Sequence, residues 1–250
     1  MPINFAQLLQ DSWNFMRNQA QFSLLGIGLL VLLQLASLFL LPQMQLTPQE
    51  LQSPEAIETA LSAQLTPAIA QALISVFVNT LIVLNIKSIN NGNYRHFFQN
   101  LAGVGRAFFP VIALTLLMVM PFSVAVAFGG VIGQMGNLAI LMLPLMITGI
   151  YIFVKLCLII YVYLIEEPQK SIGESIGTMW ALSRGKMRIL FLFCVLSYVT
   201  PSLITSLFAR TLGGEIGLIG SQVIGAALSL FFVIFGFRFY QAFRALPQGA

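Results

Sequence analysis

Between Ala107 and Val154 the chain carries no charged residue at all. A helix needs about 20 mostly apolar residues to cross roughly 30 Å of hydrocarbon. The stretch is therefore too long for one span, and Gly129–Asn137, "GGVIGQMGN", predicts a glycine-rich turn in its middle. The same reading along the chain predicts six spans, at about 22–41, 68–86, 107–128, 138–165, 189–209 and 216–237. Composition agrees. Only 8% of residues are charged and 58% are hydrophobic, whereas soluble domains carry about 25% charged residues. The expectation is an all-α polytopic membrane protein, a single integral domain over residues 1–250. No segment ahead of the first span reads as a removable signal peptide. Cys157 and Cys194 both fall inside apolar runs and predict no disulfide framework.

The distribution of Lys and Arg orients the spans. Arg17, Lys87, Arg95, Arg106, Lys170, Arg184, Lys186, Arg188, Arg238 and Arg244 all fall on one side, and only Arg210 falls on the other. The second side also holds the loop 42–67, with Glu50, Glu55 and Glu58. Both termini are therefore expected in the cytoplasm. Within that loop, Thr47-Pro48-Gln49-Glu50 predicts the start of a short helix.

The two tryptophans occupy one local pattern, "WNFMR" from Trp13 and "WALSR" from Trp180, each just ahead of an apolar run. Phe5, Leu9, Trp13 and Met16 share one helical face. Ile172, Ile176, Met179 and Trp180 share another. These periodicities predict interfacial helices over about 1–21 and 171–186, with Trp13, Arg17, Trp180 and Arg184 as anchors at the membrane surface. The stretch "YRHFFQNLAGVGRAFF" before the third span reads as a weaker third copy. The implied architecture is three parallel hairpins, each preceded by an amphipathic interfacial helix; ordinary aromatic anchoring without a repeat is the plainer alternative.

Inside the spans, Lys155 is the least usual residue. A charge that deep costs at least ~2.5–3.5 kcal/mol and calls for a partner or a wet cavity. Gln71, Ser75 and Asn79 lie on one face of the second span, and Gln34 lies in the first. With Lys155 they form a candidate polar seam that could take an anionic head group or solute; a snorkelling lysine and interhelical hydrogen bonds are the structural alternative. Gly213, Gly217, Ser221, Gly225 and Ser229 repeat every fourth residue, a stripe that lets helices approach closely within a monomer or across a dimer. Pro121, Pro144 and Pro201 are expected to kink their spans. Glu166, Glu167 and Glu174 read as solvated charges or partners of Lys170, Arg184 and Lys186.

Catalytic patterns are missing from the sequence. His96 is the only histidine and Asp11 the only aspartate. No Cys/His grouping has zinc spacing, and no glycine-rich loop carries a phosphate-binding lysine. No cofactor, metal, catalytic residue or nucleic-acid partner is expected; membrane lipids and membrane proteins are the expected partners. From Leu143 to Phe193 the chain runs through Lys155, Glu166-Glu167, an amphipathic serine-containing helix and "LSRGK" into another span, and it closes on "FRFYQAFR". This order resembles the YciC-like family of bacterial inner-membrane proteins. It is similar, more distantly, to the membrane domain of some glycerophosphodiester phosphodiesterases; their separate catalytic domain is not expected here. The resemblance implies six spans, an inner-membrane location and no assigned activity. The expected function is non-enzymatic: organising or supporting an envelope process through lipids or partner proteins. A small transporter or channel for a lipid-like or anionic solute, using the seam around Lys155, is the alternative.

Overall fold

The computed structural model describes residues 3–40, 54–133 and 142–247. Ten α-helices account for most of them: α1 (Phe5–Asn18), α2 (Ala20–Leu40), α3 (Pro54–Asn90), α4 (Leu101–Gly133), α5 (Met142–Leu156), α6 (Ile159–Ile165), α7 (Ile172–Leu182), α8 (Met187–Cys194), α9 (Thr200–Leu212) and α10 (Gly214–Arg244). A π-helical turn, Val195–Val199, joins α8 to α9. Five stretches are long and apolar enough to cross a membrane: 65–90, 101–124, 143–165, 187–211 and 217–244. The pair α1–α2, bent by 96°, makes a sixth if the two helices count as one span. The protein is an all-α, multi-pass membrane protein.

The bend between α1 and α2 has a local cause. Asn4 caps α1, its side chain accepting from the Gln7 N–H at 3.2 Å. Gln19 then leaves helical geometry, and the Ser23 hydroxyl donates back to the Met16 carbonyl at 2.7 Å. One face of α1 docks across α10, with the Phe5 ring 5.5 Å from that of Phe239 and the Arg238 guanidinium 5.3 Å over Phe15. Trp13, at the edge of that face, is 54% exposed. Such a helix fits the plane of a membrane surface.

Three sequence expectations are corrected. Residues 91–100 form no interfacial helix. Asn85 donates to the Phe97 carbonyl at 2.7 Å, and Asn100 donates to Asn85 at 2.7 Å and to Ser88 at 3.0 Å. These bonds hold the segment as a turn against the end of α3, and α4 begins at Leu101 rather than Ala107. Of the three segments expected as interfacial helices, 1–21 and 171–186 hold helices, α1 and α7. The second span is longer than expected, because α3 starts at Pro54 and runs through Pro67. The glycine-rich turn is displaced too, since α4 continues to Gly133. The expected helix start at Thr47 and the remainder of that turn, residues 134–137, lie outside the described residues.

Two spans are interrupted. Pro201 has no N–H to give the Ser197 carbonyl, and its ring crowds that turn. The helix ahead of it widens, with the Thr200 N–H bonding to the Val195 carbonyl. The fourth span breaks at Cys157–Leu158, between α5 and α6. Helices α4 and α5 meet at Gly149, where a Cβ would stand 2.8 Å from the Pro121 carbonyl oxygen. Only glycine allows that approach.

Burial is uneven along the bundle. Fully buried residues cluster toward the basic end, at Leu81, Ile82 and Ile86 in α3, Leu158 and Ile159 in the fourth span, and Phe235 to Phe243 in α10. Toward the other end Leu65, Ile69, Leu73, Leu218, Ile219 and Val223 are exposed, as suits helices separated by lipid. At the basic end Glu166 accepts from the Tyr240 hydroxyl at 2.5 Å and from Arg244 at 3.2 Å, with Lys170 at 3.7 Å. Glu167 pairs with Lys87 at 2.8 Å. These bonds clasp α3, α6 and α10 together.

Candidate functional site

A cavity of about 560 Å³ lies at mid-bundle between α2, α3, α4, α6, α9, α10 and the π-helical turn. Gln34, Gln71, Ser75 and Asn79 all line it. Thr80, Thr115, Tyr161, Ser197, Tyr198 and Ser229 add to its polar wall, while Leu30, Val83, Met118 and Phe232 are among the apolar residues. Among the described residues none that lines it is charged.

Several of these polar groups turn back on their own helices or find a neighbouring backbone. Thr80 donates to Val76 at 2.7 Å, Thr115 to Val111 at 2.7 Å and Ser229 to Gly225 at 2.8 Å. The Tyr161 hydroxyl donates to the Val233 carbonyl at 3.3 Å. Others do not. The Ser197 hydroxyl is buried without a hydrogen-bond partner. Among the described residues the Gln71, Ser75 and Asn79 side chains make no hydrogen bond to another protein group. Unsatisfied groups typically cost about 1–3 kcal/mol each, and hydrocarbon offers them nothing. Of these groups Ser197 is buried, and Gln71, Ser75 and Asn79 are half-buried and free to hydrogen-bond within the cavity.

Lys155 is not part of this wall. Cys157, Ile160 and Tyr161 face the cavity from the fourth span, and Lys155 precedes Cys157 by about 200° of helical rotation. Its side chain is 6% exposed. Its ammonium lies 3.6 Å from the centroid of the Trp180 ring and donates to the Tyr151 hydroxyl at 3.2 Å. No carboxylate pairs with it among the described residues. The seam expected from sequence therefore divides, with four uncharged members in the cavity and the lysine under α7.

The remaining sequence candidates fall into place around these two sites. Trp13 and Arg17 stand exposed on α1 and Arg184 stands exposed after α7, whereas Trp180 serves as the cover of Lys155. Ser171 and Glu174 close a reciprocal cap at the start of α7, so Glu174 serves the helix rather than Arg184 or Lys186. In the small-residue stripe, Gly213 takes a positive φ of 62° at the turn into α10, and Gly217 and Ser221 are buried. A Cβ on Gly225 would meet Thr205 at 3.3 Å and Gln34 at 3.4 Å. The stripe thus faces α9 and α2 of the same chain. Tyr161, Ser197 and Tyr198 were missed by sequence reasoning, since two lie in the π-helical turn and the third follows a helix break with no Gly or Pro to mark it.

An uncharacterised protein of Haemophilus influenzae is 30% identical over 250 residues, covering 97% of this chain and 99% of the relative. The chain belongs to that protein's family. No protein-family model matches the chain, and no solved structure matches it.

Proposed function

We propose that this is a bacterial inner-membrane protein, with both termini in the cytoplasm, that binds a membrane amphiphile in the mid-bundle cavity and supports an envelope process by holding that molecule. Its action is binding rather than catalysis. The observation that carries this reading is the set of unpartnered, uncharged hydrogen-bonding groups, Gln71, Ser75, Asn79 and Ser197, facing one cavity inside the spanning region. Pockets of a few hundred Å³ with a mainly apolar wall and a few convergent polar groups are the usual form of a ligand site. The excess of Lys and Arg at the end holding both termini supports the orientation. The order of features from Leu143 to Phe193 supports membership of the YciC-like family. An anionic solute passing along Lys155 has no such support, because that ammonium points away from the cavity and lies beneath Trp180.

A diazirine-bearing amino acid in place of Asn79, activated by light in native membranes, tests the reading. The expected result is a covalent adduct with the mass of a membrane amphiphile. Adducts with protein segments and water alone contradict it.

A further inference from the structure

Beside the mid-bundle cavity a second space, of about 380 Å³, lies between α9 and α10 and shares the lining residues Gln34, Pro201 and Ser229 with it. It extends along residues 201–209 and 221–225, away from the basic end. Its wall is again uncharged, and Ser202 and Ser206 stand exposed on the lipid-facing side of α9. Hydroxyl groups along that margin have no packing duty of the kind that explains the buried Ser221. Between the two spaces Thr205 and Gln34 pack against Gly225, where a Cβ would stand 3.3 and 3.4 Å from them.

We propose that the ligand is a neutral amphiphile, with hydroxyl or amide groups on its head and no charge, and that it reaches the cavity sideways from the lipid between α9 and α10. This rests on the cavity being a ligand site, and adds the class of ligand and its route. The class follows from the wall. Carboxamides and hydroxyls both donate and accept, so they satisfy a neutral polar head. A phosphate head would enter a membrane interior with no cation among the described residues of either wall, since Lys155 lies elsewhere and the basic residues other than Arg210, at the outer end of α9, gather at the far end. A charge left unpaired at that depth lowers binding by about a hundredfold. The route follows from the polar margin of α9 and the shared residues that join the two spaces. The Glu166, Tyr240 and Arg244 contacts close the basic end to a ligand.

The full-length protein in nanodiscs, offered a photoactivatable diacylglycerol or a photoactivatable phosphatidylglycerol, tests this. The expected result is labelling of α3 around Ser75–Asn79 by the neutral probe about a hundredfold above the anionic one. Ser206→Trp, which fills the lateral opening from an exposed position, is expected to abolish that labelling while leaving Tm unchanged. If that variant is not recovered, Ser202→Phe makes the same test from the neighbouring exposed position. Equal or stronger labelling by the anionic probe overturns the ligand class. Undiminished neutral labelling in the filled variants overturns the route, with the cavity still a ligand site. Absence of labelling at α3 by either probe overturns the cavity reading and this inference with it.

Discussion

Lys155 shows how far a residue's identity and its depth can be read apart from its neighbours. A deep lysine predicts a partner or a wet cavity, and the partner proves to be an aromatic face 3.6 Å away rather than the seam on α3. A single sequence holds the 3.6-residue period that puts Gln71, Ser75 and Asn79 on one face. It holds no information on how the fourth span is rotated against its neighbours, and about 200° separates the Lys155 side from the Cys157 side. A cation over tryptophan contributes about 0.5–2 kcal/mol. Trp180→Ala is therefore expected to destabilise the wild-type chain more than it destabilises the Lys155→Met chain, by a coupling of that size in a double-mutant cycle. Lys155→Met alone removes a buried charge without a carboxylate partner and is expected to hold or raise Tm. Additive effects in the cycle, measured by thermal unfolding in one detergent, would break the Lys155–Trp180 link.

At the scale of elements, the clasp at the basic end sets how acid affects the bundle. Burial alone would push the Glu166 carboxyl up, but the Tyr240 hydroxyl, Arg244 and Lys170 more than offset this and hold it below the ordinary carboxylate range. The hydrogen bond and charge of Lys87 lower Glu167, and the Ser171 backbone N–H lowers Glu174. A carboxyl lowered by folding contributes stability that is fully present above its unfolded value and is lost as pH falls through the folded value. Thermal stability is expected to be level from about pH 7 to about pH 5 and to fall below about pH 4. Glu166→Gln should lower Tm at neutral pH and flatten the acid limb; an acid limb of undiminished steepness in that variant would contradict the clasp. The clasp was only half legible in sequence. Lys170, four residues beyond Glu166, was an evident partner, whereas Tyr240 and Arg244 meet Glu166 only through the tertiary packing of α10 on α6. The missing third interfacial helix has the same cause, for the turn at 91–100 is held by Asn85 and Asn100, whose contact no local pattern announces.

For the whole molecule, the apolar runs and the one-sided Lys and Arg were enough to read an all-α membrane bundle with both termini at one end. The cavity was legible only as a face of three polar residues on one span and a glutamine on another. Its closure needed Pro201 to widen the helix at Ser197, and its extension needed the small residues of α10 beside α9. The resulting molecule is tight at the basic end and open at mid-bundle, with the polar groups of its spans collected on an uncharged wall. The most direct measurement is the amphiphile retained per protein after purification in mild detergent, quantified by mass spectrometry for three chains at matched folding. Wild type and Lys155→Met are expected to retain it stoichiometrically, and the double variant Gln71→Leu, Asn79→Leu is expected to lose it. Retention unchanged in the double variant, or lost in Lys155→Met, would contradict the assignment of binding to the cavity.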